Sequence, residues 1–286
     1  HSLHAAWVAH MRVIQRLQPS TIKRYTSALR SIFAEQNHPA ADLGKTPASR
    51  LLMRGVARVG STRSLPRFPL TVAWARVIAA ETAPDNAEDC LYVAAMWTAV
   101  GGFFRIYELF FTTRDELDRL PRFKHLDTLT KGNRVVAYGF HLPRTKTHDG
   151  GEYVEVRHPE AVAALQRYLK TRTAPQHREA FVFATVDGRP LPSSAVTTWC
   201  TIMLEACGAD LSGYKGISFR RGGATSYALD GATPDQIKAA GRWRSSAWKR
   251  YIEANPQQPP RRAVSRPHQA PQETCGSSSS SNVIAP

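Results

Sequence analysis

The feature that most restricts how this chain can fold is its most apolar stretch, CLYVAAMWTAVGGFF from Cys90 to Phe104. The stretch is shorter than the roughly 18 to 20 residues that a membrane-spanning helix needs. We therefore predict a buried helix here rather than one that spans a membrane, and the partners expected below include no membrane. The 286 residues, 42% of them hydrophobic, suffice for one large domain or two ordinary ones.

The charge of the chain is strongly positive. Its 38 Lys and Arg exceed its 23 Asp and Glu, which gives a net charge of +15. Such an excess favours a polyanionic partner, either nucleic acid or an anionic membrane surface. The four cysteines form no CxxC pair, and the first thirty residues hold no apolar signal segment. These features indicate a reducing, intracellular location and neither a zinc ribbon nor a disulfide scaffold.

About half of the excess charge lies in residues 1–66, where ten basic residues face two acidic ones. The periodicity predicts three helices there, over Leu3–Leu17, from a Ser20 cap to Glu35, and from Thr46-Pro47 to Val59. In the third helix three arginines recur at every fourth position and so share one side, while four apolar residues point in other directions. The arginines are Arg50, Arg54 and Arg58, and the apolar residues are Leu51, Leu52, Val56 and Val59. This stripe is either a solvated face or a surface that follows phosphates.

The rest of the chain predicts a mainly α-helical domain with a small antiparallel sheet, an α+β fold. We expect domain boundaries at 1–62 (helical), 63–70 (a linker with prolines), 71–254 (second domain) and 255–286 (a disordered Pro-, Gln- and Ser-rich tail). Strands Val135–Leu142 and Glu152–Val156 should form a hairpin, and FVFA near residue 181 is also strand-like. Helices are predicted at Val72–Thr82, Asn86–Val100, through FRIYELFF, Pro159–Thr171, Ser193–Ala206, Arg220–Leu229, Pro234–Ala240 and Ser245–Ala254.

Several familiar chemistries have no support in the sequence. The GKT at Gly44–Thr46 lacks the upstream glycine of a phosphate-binding loop, because Pro39 stands there. The chain holds no GxGxxG, GxSxG or HExxH motif. Cys200 and Cys207 lie two turns apart on one predicted helix, which is more typical of core packing than of metal binding.

Three basic positions are unusual for a globular domain. Arg105 lies among aromatic residues and glycines, where a guanidinium is costly without an anionic partner such as Glu108. Arg220 and Arg221 open a predicted helix beside two glycines, which allow another backbone or a ligand to approach. Lys146 lies at the tip of the predicted hairpin. Each position also has an ordinary explanation: a local ion pair, an exposed arginine pair and a solubilising turn.

In this order, and followed by GRWRSSAWKRY, the three positions resemble the tyrosine recombinase (phage integrase) family. The family's first arginine box is matched by GGFFRIYEL with Arg105 and Glu108, its hairpin lysine by Lys146, and its HxxR box by ISFRRGGAT with Arg220. A Gly-His or Gly-Trp element is matched by GRW with Trp243, and the nucleophilic tyrosine by Tyr251. The segments SFRRGGAT and GRW are most similar to those of recombinases from crypton and DIRS mobile elements.

This resemblance covers about residues 3–253 and implies a helical DNA core-binding domain followed by a catalytic domain. STIKRYTSALRSIF, with Lys23 and Arg24, resembles the core-binding domain. We expect DNA contacts from these two residues, from the Arg50, Arg54 and Arg58 stripe, and from Arg221 and Arg242.

The implied chemistry is cleavage and rejoining of DNA through a covalent phosphotyrosine, which needs no metal and no other cofactor. The nucleophile would be Tyr251, while Arg105 and Arg220 would meet the non-bridging oxygens of the phosphate. The 5′-oxygen would receive a proton from Lys146. Glu108 would hold Arg105, and Trp243 would donate a hydrogen bond to the phosphate.

Two departures from the family pattern stand out. Ile217 occupies the place of the HxxR histidine, and its side chain can neither transfer a proton nor donate a hydrogen bond. The spacing from Trp243 to Tyr251 is eight rather than nine, so Arg242 is the alternative for the His/Trp position. We expect Trp243 to fill it.

The resemblance leaves three functions open. The first is a site-specific recombinase of the integrase or transposase type, acting as a homotetramer on two double-stranded DNA sites. The second is strand relaxation like that of a type IB topoisomerase, and the third is an inactive, recombinase-derived DNA-binding protein. The expected location is the nucleus in a eukaryote and the nucleoid in a prokaryote.

Overall fold

The computed structural model of the chain describes residues 2–42, 45–58, 67–143, 145 and 150–260. The chain divides into two units, His1–Arg67 and Phe68–Pro286. Most of the predicted linker at 63–70 and of the predicted tail at 255–286 lies outside the described residues.

The described part of the first unit is helical, with α1 at Ser2–Val13, α2 at Pro19–Glu35 and α3 at Pro47–Arg58. A short 3-10 helix, Pro39–Asp42, lies between α2 and α3. The predicted Ser20 cap is wrong, because α2 already begins at Pro19, whose fixed φ suits the first helical position. Helix α1 ends before Leu17, and Arg16 takes a left-handed φ of 52° that no helix continues through.

A small apolar core holds these helices together. Val8, Met11 and Ile22 are buried, and Leu52 and Val56 of α3 pack against them. Leu51 is 69% exposed, so the apolar side of α3 is narrower than predicted, and Val59 lies outside the described residues. The opposite side of α3 is thereby left to its charged residues.

In its described residues, the second unit combines helices with one small sheet. Three helices precede the sheet, α4 at Val72–Ala80, α5 at Ala87–Gly101 and α6 at Ile106–Leu109. Four follow it, α7 at Pro159–Thr171, α8 at Ser193–Ala206, α9 at Ile217–Leu229 and α10 at Pro234–Ala240. Short 3-10 helices lie at Arg114–Arg119, Phe123–His125, Leu211–Gly213 and Ser246–Tyr251.

The predicted buried helix is confirmed as α5. Every residue from Val93 to Val100 is buried, and neighbouring helices cover α5 from several sides. Asn86 caps its start by accepting hydrogen bonds from the backbone of Glu88 and Asp89. The thiols of Cys200 and Cys207 pack into the same core.

The sheet has the order β1-β2-β3, with β1 at Leu126–Lys131, β2 at Arg134–Leu142 and β3 at Glu152–Val156. The predicted hairpin is confirmed, since Leu142 pairs with Glu152 and Tyr138 with Val156 in antiparallel register. The edge strand β1 escaped prediction because LDTLTK is polar and takes its pairing from β2. FVFA is not a strand and forms only isolated bridges, at Phe181 and Ala184.

Helix α9 packs closely against the backbone of other segments. The Leu70 amide donates to the Ser218 carbonyl at 2.9 Å. A Cβ on Gly222 would overlap the Leu70 carbonyl oxygen, and one on Gly223 would overlap that of Val100. The two glycines therefore admit other parts of the backbone, which fixes the first turns of α9 against α5.

Two predicted helix bounds near the chemistry are wrong. Helix α9 begins at Ile217, so Arg220 lies within its first turn rather than opening it. The predicted helix at Ser245–Ala254 is a 3-10 helix that ends at Tyr251. Residues 255–260, predicted as the start of a disordered tail, contact α4, because the Trp74 indole donates to the Gln257 carbonyl at 2.9 Å.

Candidate active site

Arg220 is the most unusual charged residue of the second unit. It is 1% exposed, and its Nη2 donates to the Gly241 carbonyl. Its Nε and Nη1 have no hydrogen-bond partner among the described residues. Burial, followed by the positive charges of Arg105 and Arg242, lowers the pKa of Arg220 to about 10. A guanidinium buried this way is costly unless an anion completes its hydrogen bonds.

Two aromatic rings lie against this guanidinium. Its central carbon is 4.7 Å from the centre of the Trp243 ring and 5.8 Å from that of Tyr251. The two rings are 4.9 Å apart and inclined by 49°. The fold thus brings together three of the predicted catalytic residues, and Trp243 rather than Arg242 contacts Arg220 and Tyr251.

The Gly-Arg-Trp turn explains this arrangement. A Cβ on Gly241 would collide with the Trp243 ring, so only glycine lets the indole fold back over the end of α10. Arg242 takes a left-handed φ of 57°, a costly conformation for a residue with a side chain. The turn thereby directs Trp243 and Arg242 to different neighbours.

Arg105 and Glu108 form a local pair at the start of α6. Glu108 is buried and accepts hydrogen bonds from the Arg105 amide at 2.9 Å and from Arg105 Nη1 at 2.7 Å. Burial alone would raise the pKa of Glu108, but the charges of Arg242 and Arg105 outweigh it and hold that pKa below its ordinary value. The Arg105 side chain remains 19% exposed.

Arg242 connects this pair to the hairpin. Its Nη2 lies 2.7 Å from Glu108 Oε2, and its Nη1 lies 2.9 Å from Glu152 Oε2, at the first residue of β3. The Arg242 side chain is 9% exposed, and its guanidinium is buried between two carboxylates of the protein, so its contact with DNA stays a prediction. Glu152 could not be recognised from the sequence, because this contact forms between distant parts of the chain.

The segment that carries Tyr251 is attached to α9 of the same chain. Thr225 Oγ1 donates to the Tyr251 carbonyl at 3.3 Å and accepts from the Glu253 amide at 3.1 Å. Arg221 donates to the Arg250 carbonyl and pairs with Glu253 at 3.3 Å. With 14% of its side chain exposed, Arg221 anchors this segment within the protein, and its contact with DNA stays a prediction.

Two further positions complete the predicted set. Ile217 is the first residue of α9 and is 43% exposed. Lys146 lies outside the described residues, as do residues 144 and 147–149 of the same connection between β2 and β3.

In the first unit, the five predicted DNA contacts are all exposed. A groove of about 530 Å³ between α2 and α3 is lined by Lys23, Arg50 and Arg54 together with Arg30. Asp42 pairs with Lys45 at 2.9 Å, so this acidic residue is already engaged. The exposed contacts are Lys23, Arg24, Arg50, Arg54 and Arg58.

Metal sites and membrane-spanning helices have no candidate in the described residues. No group of three or more His, Cys, Asp and Glu there is arranged to hold a metal ion. Within the same residues, no helix combines the length and the apolarity needed to cross a membrane.

The helices and the small antiparallel sheet form the fold of a tyrosine recombinase catalytic domain. The Tn1549 transposon integrase, solved in complex with a circular intermediate DNA, matches with a TM-score of 0.59 and 17% identity over 88% of this chain and 80% of that one. The XerH site-specific recombinase, solved with a palindromic difH substrate after cleavage, matches with a TM-score of 0.58 and 13% identity over 89% of this chain and 66% of that one. No protein-family model and no curated protein matches the chain. At these identities the likeness establishes the fold, and the crypton/DIRS subtype stays a prediction.

Proposed function

We propose that the chain is a site-specific DNA recombinase of the integrase or transposase type that cleaves and rejoins strands through a 3′-phosphotyrosine. One observation carries the proposal: the buried Arg220 guanidinium lies against the ring of Tyr251 and has two donor nitrogens for which the described part of the chain supplies no acceptor. A phosphodiester supplies the anionic oxygens that such a pocket lacks.

In the proposed reaction the Tyr251 hydroxyl oxygen attacks the phosphorus. The bond to the 5′-oxygen breaks, and that oxygen leaves with a proton. Negative charge grows on the non-bridging oxygens, where Arg220 and Arg105 stabilise it. Because these donors are already fixed by the protein, little reorganisation is needed in the transition state.

Glu108, Arg242 and Trp243 act in this proposal by position. Glu108 orients Arg105 through the 2.7 Å contact to its Nη1, and Arg242 fixes Glu108 from the other side. Trp243 packs under the Arg220 guanidinium and offers its indole N–H to the phosphate. Lys146 is the proposed proton donor to the 5′-oxygen.

The proposed partner is double-stranded DNA, held in part by the basic groove of the first unit. Exposed cations that replace the counterions of phosphates bind DNA without regard to sequence and in a strongly salt-dependent way. A homotetramer on two sites is the assembly we propose, in the nucleus or the nucleoid according to the host.

Covalent trapping tests the proposal. The chain is incubated with nicked duplexes of randomised sequence and denatured with SDS, and the attached DNA is sequenced. We expect an adduct that leaves a free 5′-hydroxyl for labelling by polynucleotide kinase. Tyr251→Phe should abolish it, whereas Tyr227→Phe, which alters an exposed tyrosine of α9, should not.

Other outcomes lead to other functions. DNA binding without any adduct would favour the inactive, recombinase-derived binding protein. An adduct with relaxation of supercoiled plasmid, but no exchange between two sites, would favour the topoisomerase-like reaction.

A further inference from the structure

Tyr107 has a hydroxyl group for which the reaction described above provides no role. It is the second residue of α6, between Arg105 and Glu108. Its Oη is buried and has no hydrogen-bond partner among the described residues. A buried hydroxyl without a partner destabilises the folded state, so its presence calls for an explanation.

The surroundings of Tyr107 are those of the candidate active site. Helix α6 packs against the start of α9, where a Cβ on Gly216 would come within 2.8 Å of Ile106 Cγ2. Arg105, Arg220 and Tyr251 all lie close enough for their charges to affect the pKa of Tyr107. Tyr107 therefore lies on the helix that follows Arg105 and that packs against α9, whose first turn carries Arg220.

The hydroxyl keeps its proton in this environment. Burial raises the pKa of Tyr107, and the opposing effect of Arg105 and Arg220 does not reverse the shift. The group is therefore a hydrogen-bond donor at neutral pH. Tyr107 on α6 and Arg220 on α9, two helices in contact, then both offer donors for which the described residues supply no acceptor, and a tetrahedral oxyanion can accept from both.

We propose that Tyr107 is a catalytic residue, whose hydroxyl donates a hydrogen bond to a non-bridging oxygen of the scissile phosphate beside Arg220. This inference rests on the proposed function and adds a residue to it. It supplies a neutral donor in a site where Ile217, at the start of α9, offers none. The Trp243 and Tyr251 rings lie against the Arg220 guanidinium. A phosphate that binds Arg220 therefore displaces part of these rings.

Tyr107→Phe tests the proposal, since it removes one oxygen and keeps the ring. The matched control is Tyr214→Phe, because Tyr214 also has a buried hydroxyl without a partner but lies elsewhere, against Phe68. Both variants should unfold at the wild-type temperature or above it, because each loses a buried, unpaired polar group. Only Tyr107→Phe should slow formation of the covalent DNA adduct, by about 10- to 100-fold, as expected for the loss of a hydrogen bond to a charged group.

A second measurement does not depend on cleavage. Inorganic phosphate is titrated against each variant in a thermal unfolding assay at constant ionic strength. We expect a smaller phosphate-induced rise in unfolding temperature for Tyr107→Phe than for the wild-type chain and Tyr214→Phe.

The outcomes separate this inference from the proposed function. If Tyr107→Phe cleaves at the wild-type rate, the inference is overturned and the recombinase proposal stands. If the wild-type chain forms no adduct, the phosphate titration decides: a Tyr107-dependent rise supports the oxyanion contact, and equal rises in all variants overturn it. An adduct that survives Tyr251→Phe and disappears in Tyr107→Phe would make Tyr107 the nucleophile, which overturns both the hydrogen-bond role of Tyr107 and the assignment of Tyr251 as nucleophile.

Discussion

Removing the Arg242 guanidinium should destabilise the second unit strongly. Arg242→Met keeps most of the aliphatic stem but leaves Glu108, whose side chain is 1% exposed, without one of its two partners. Breaking a buried ion pair from one side costs about 3 to 5 kcal/mol. Because Arg105 still pairs with Glu108, and Glu152 is 22% exposed, we expect the lower end, about 3 kcal/mol.

In a unit of this size, 1 kcal/mol corresponds to roughly 2 to 4 °C in unfolding temperature, so the shift should be about 6 to 12 °C. The matched control is Arg76→Met. Arg76 pairs with Glu160 at 2.6 Å, but its side chain is 60% exposed. An exposed pair of this kind contributes less than about 1 kcal/mol. Thermal and urea-induced unfolding of both variants measure the difference.

A double-mutant cycle tests the physical reason. Glu108→Gln in the Arg242→Met background removes the uncompensated buried charge, so the double variant should be less destabilised than the two single effects added together. The reasoning is refuted if Arg242→Met is no more destabilising than Arg76→Met, or if the two effects simply add.

Three further predictions concern other parts of the chain. The pKa of Glu108 lies below its ordinary value of 4.5. The ionised Glu108 carboxylate therefore makes its full contribution to the free energy of unfolding above about pH 4.5, and this contribution is lost as the pH falls through the folded-state pKa. The difference in unfolding free energy between the wild-type chain and Glu108→Gln should therefore narrow on acidification from pH 6 to pH 3, and a constant difference contradicts this. Arg54→Gln in the basic groove should reduce the slope of the logarithm of the duplex DNA binding constant against the logarithm of salt concentration by about 0.9. The control is Lys45→Gln, because Lys45 is paired with Asp42. A change for Arg54→Gln no greater than that for Lys45→Gln would count against a phosphate contact. Gly222→Ala should lower the free energy of urea-induced unfolding by more than about 2 kcal/mol, because the Leu70 carbonyl occupies the space that the new Cβ needs. Gly55→Ala, at an open helical position, should instead raise it by up to about 1 kcal/mol. Similar effects of the two substitutions would refute the close-packing argument.

Much of the local structure was predictable from the sequence. The bounds of α7, α8 and α10 agree with the predicted helices, and the hairpin has the predicted strands. These elements follow from periodicity and from turn chemistry, which act over a few neighbouring residues. The Arg105 and Glu108 pair also lies within one turn, so its spacing was visible in the sequence.

The arrangement of the site was not predictable in the same way. Arg242 and Glu108 are 134 positions apart, and their contact depends on a left-handed turn after α10. Exposed arginines and buried ones look alike in a sequence, so Arg242 and Arg221 were predicted to contact DNA although both are engaged within the protein. The unpaired hydroxyl of Tyr107 likewise gave no signal, because burial is a property of the packed chain.

The sequence by itself therefore determined the helices, the hairpin and the order of the residues with candidate chemistry, because these depend on local conformational preferences. The tertiary structure decided which charges are paired and which remain unsatisfied. It does so because burial removes water, and a guanidinium such as that of Arg220 then depends on whichever groups the fold brings within hydrogen-bonding distance.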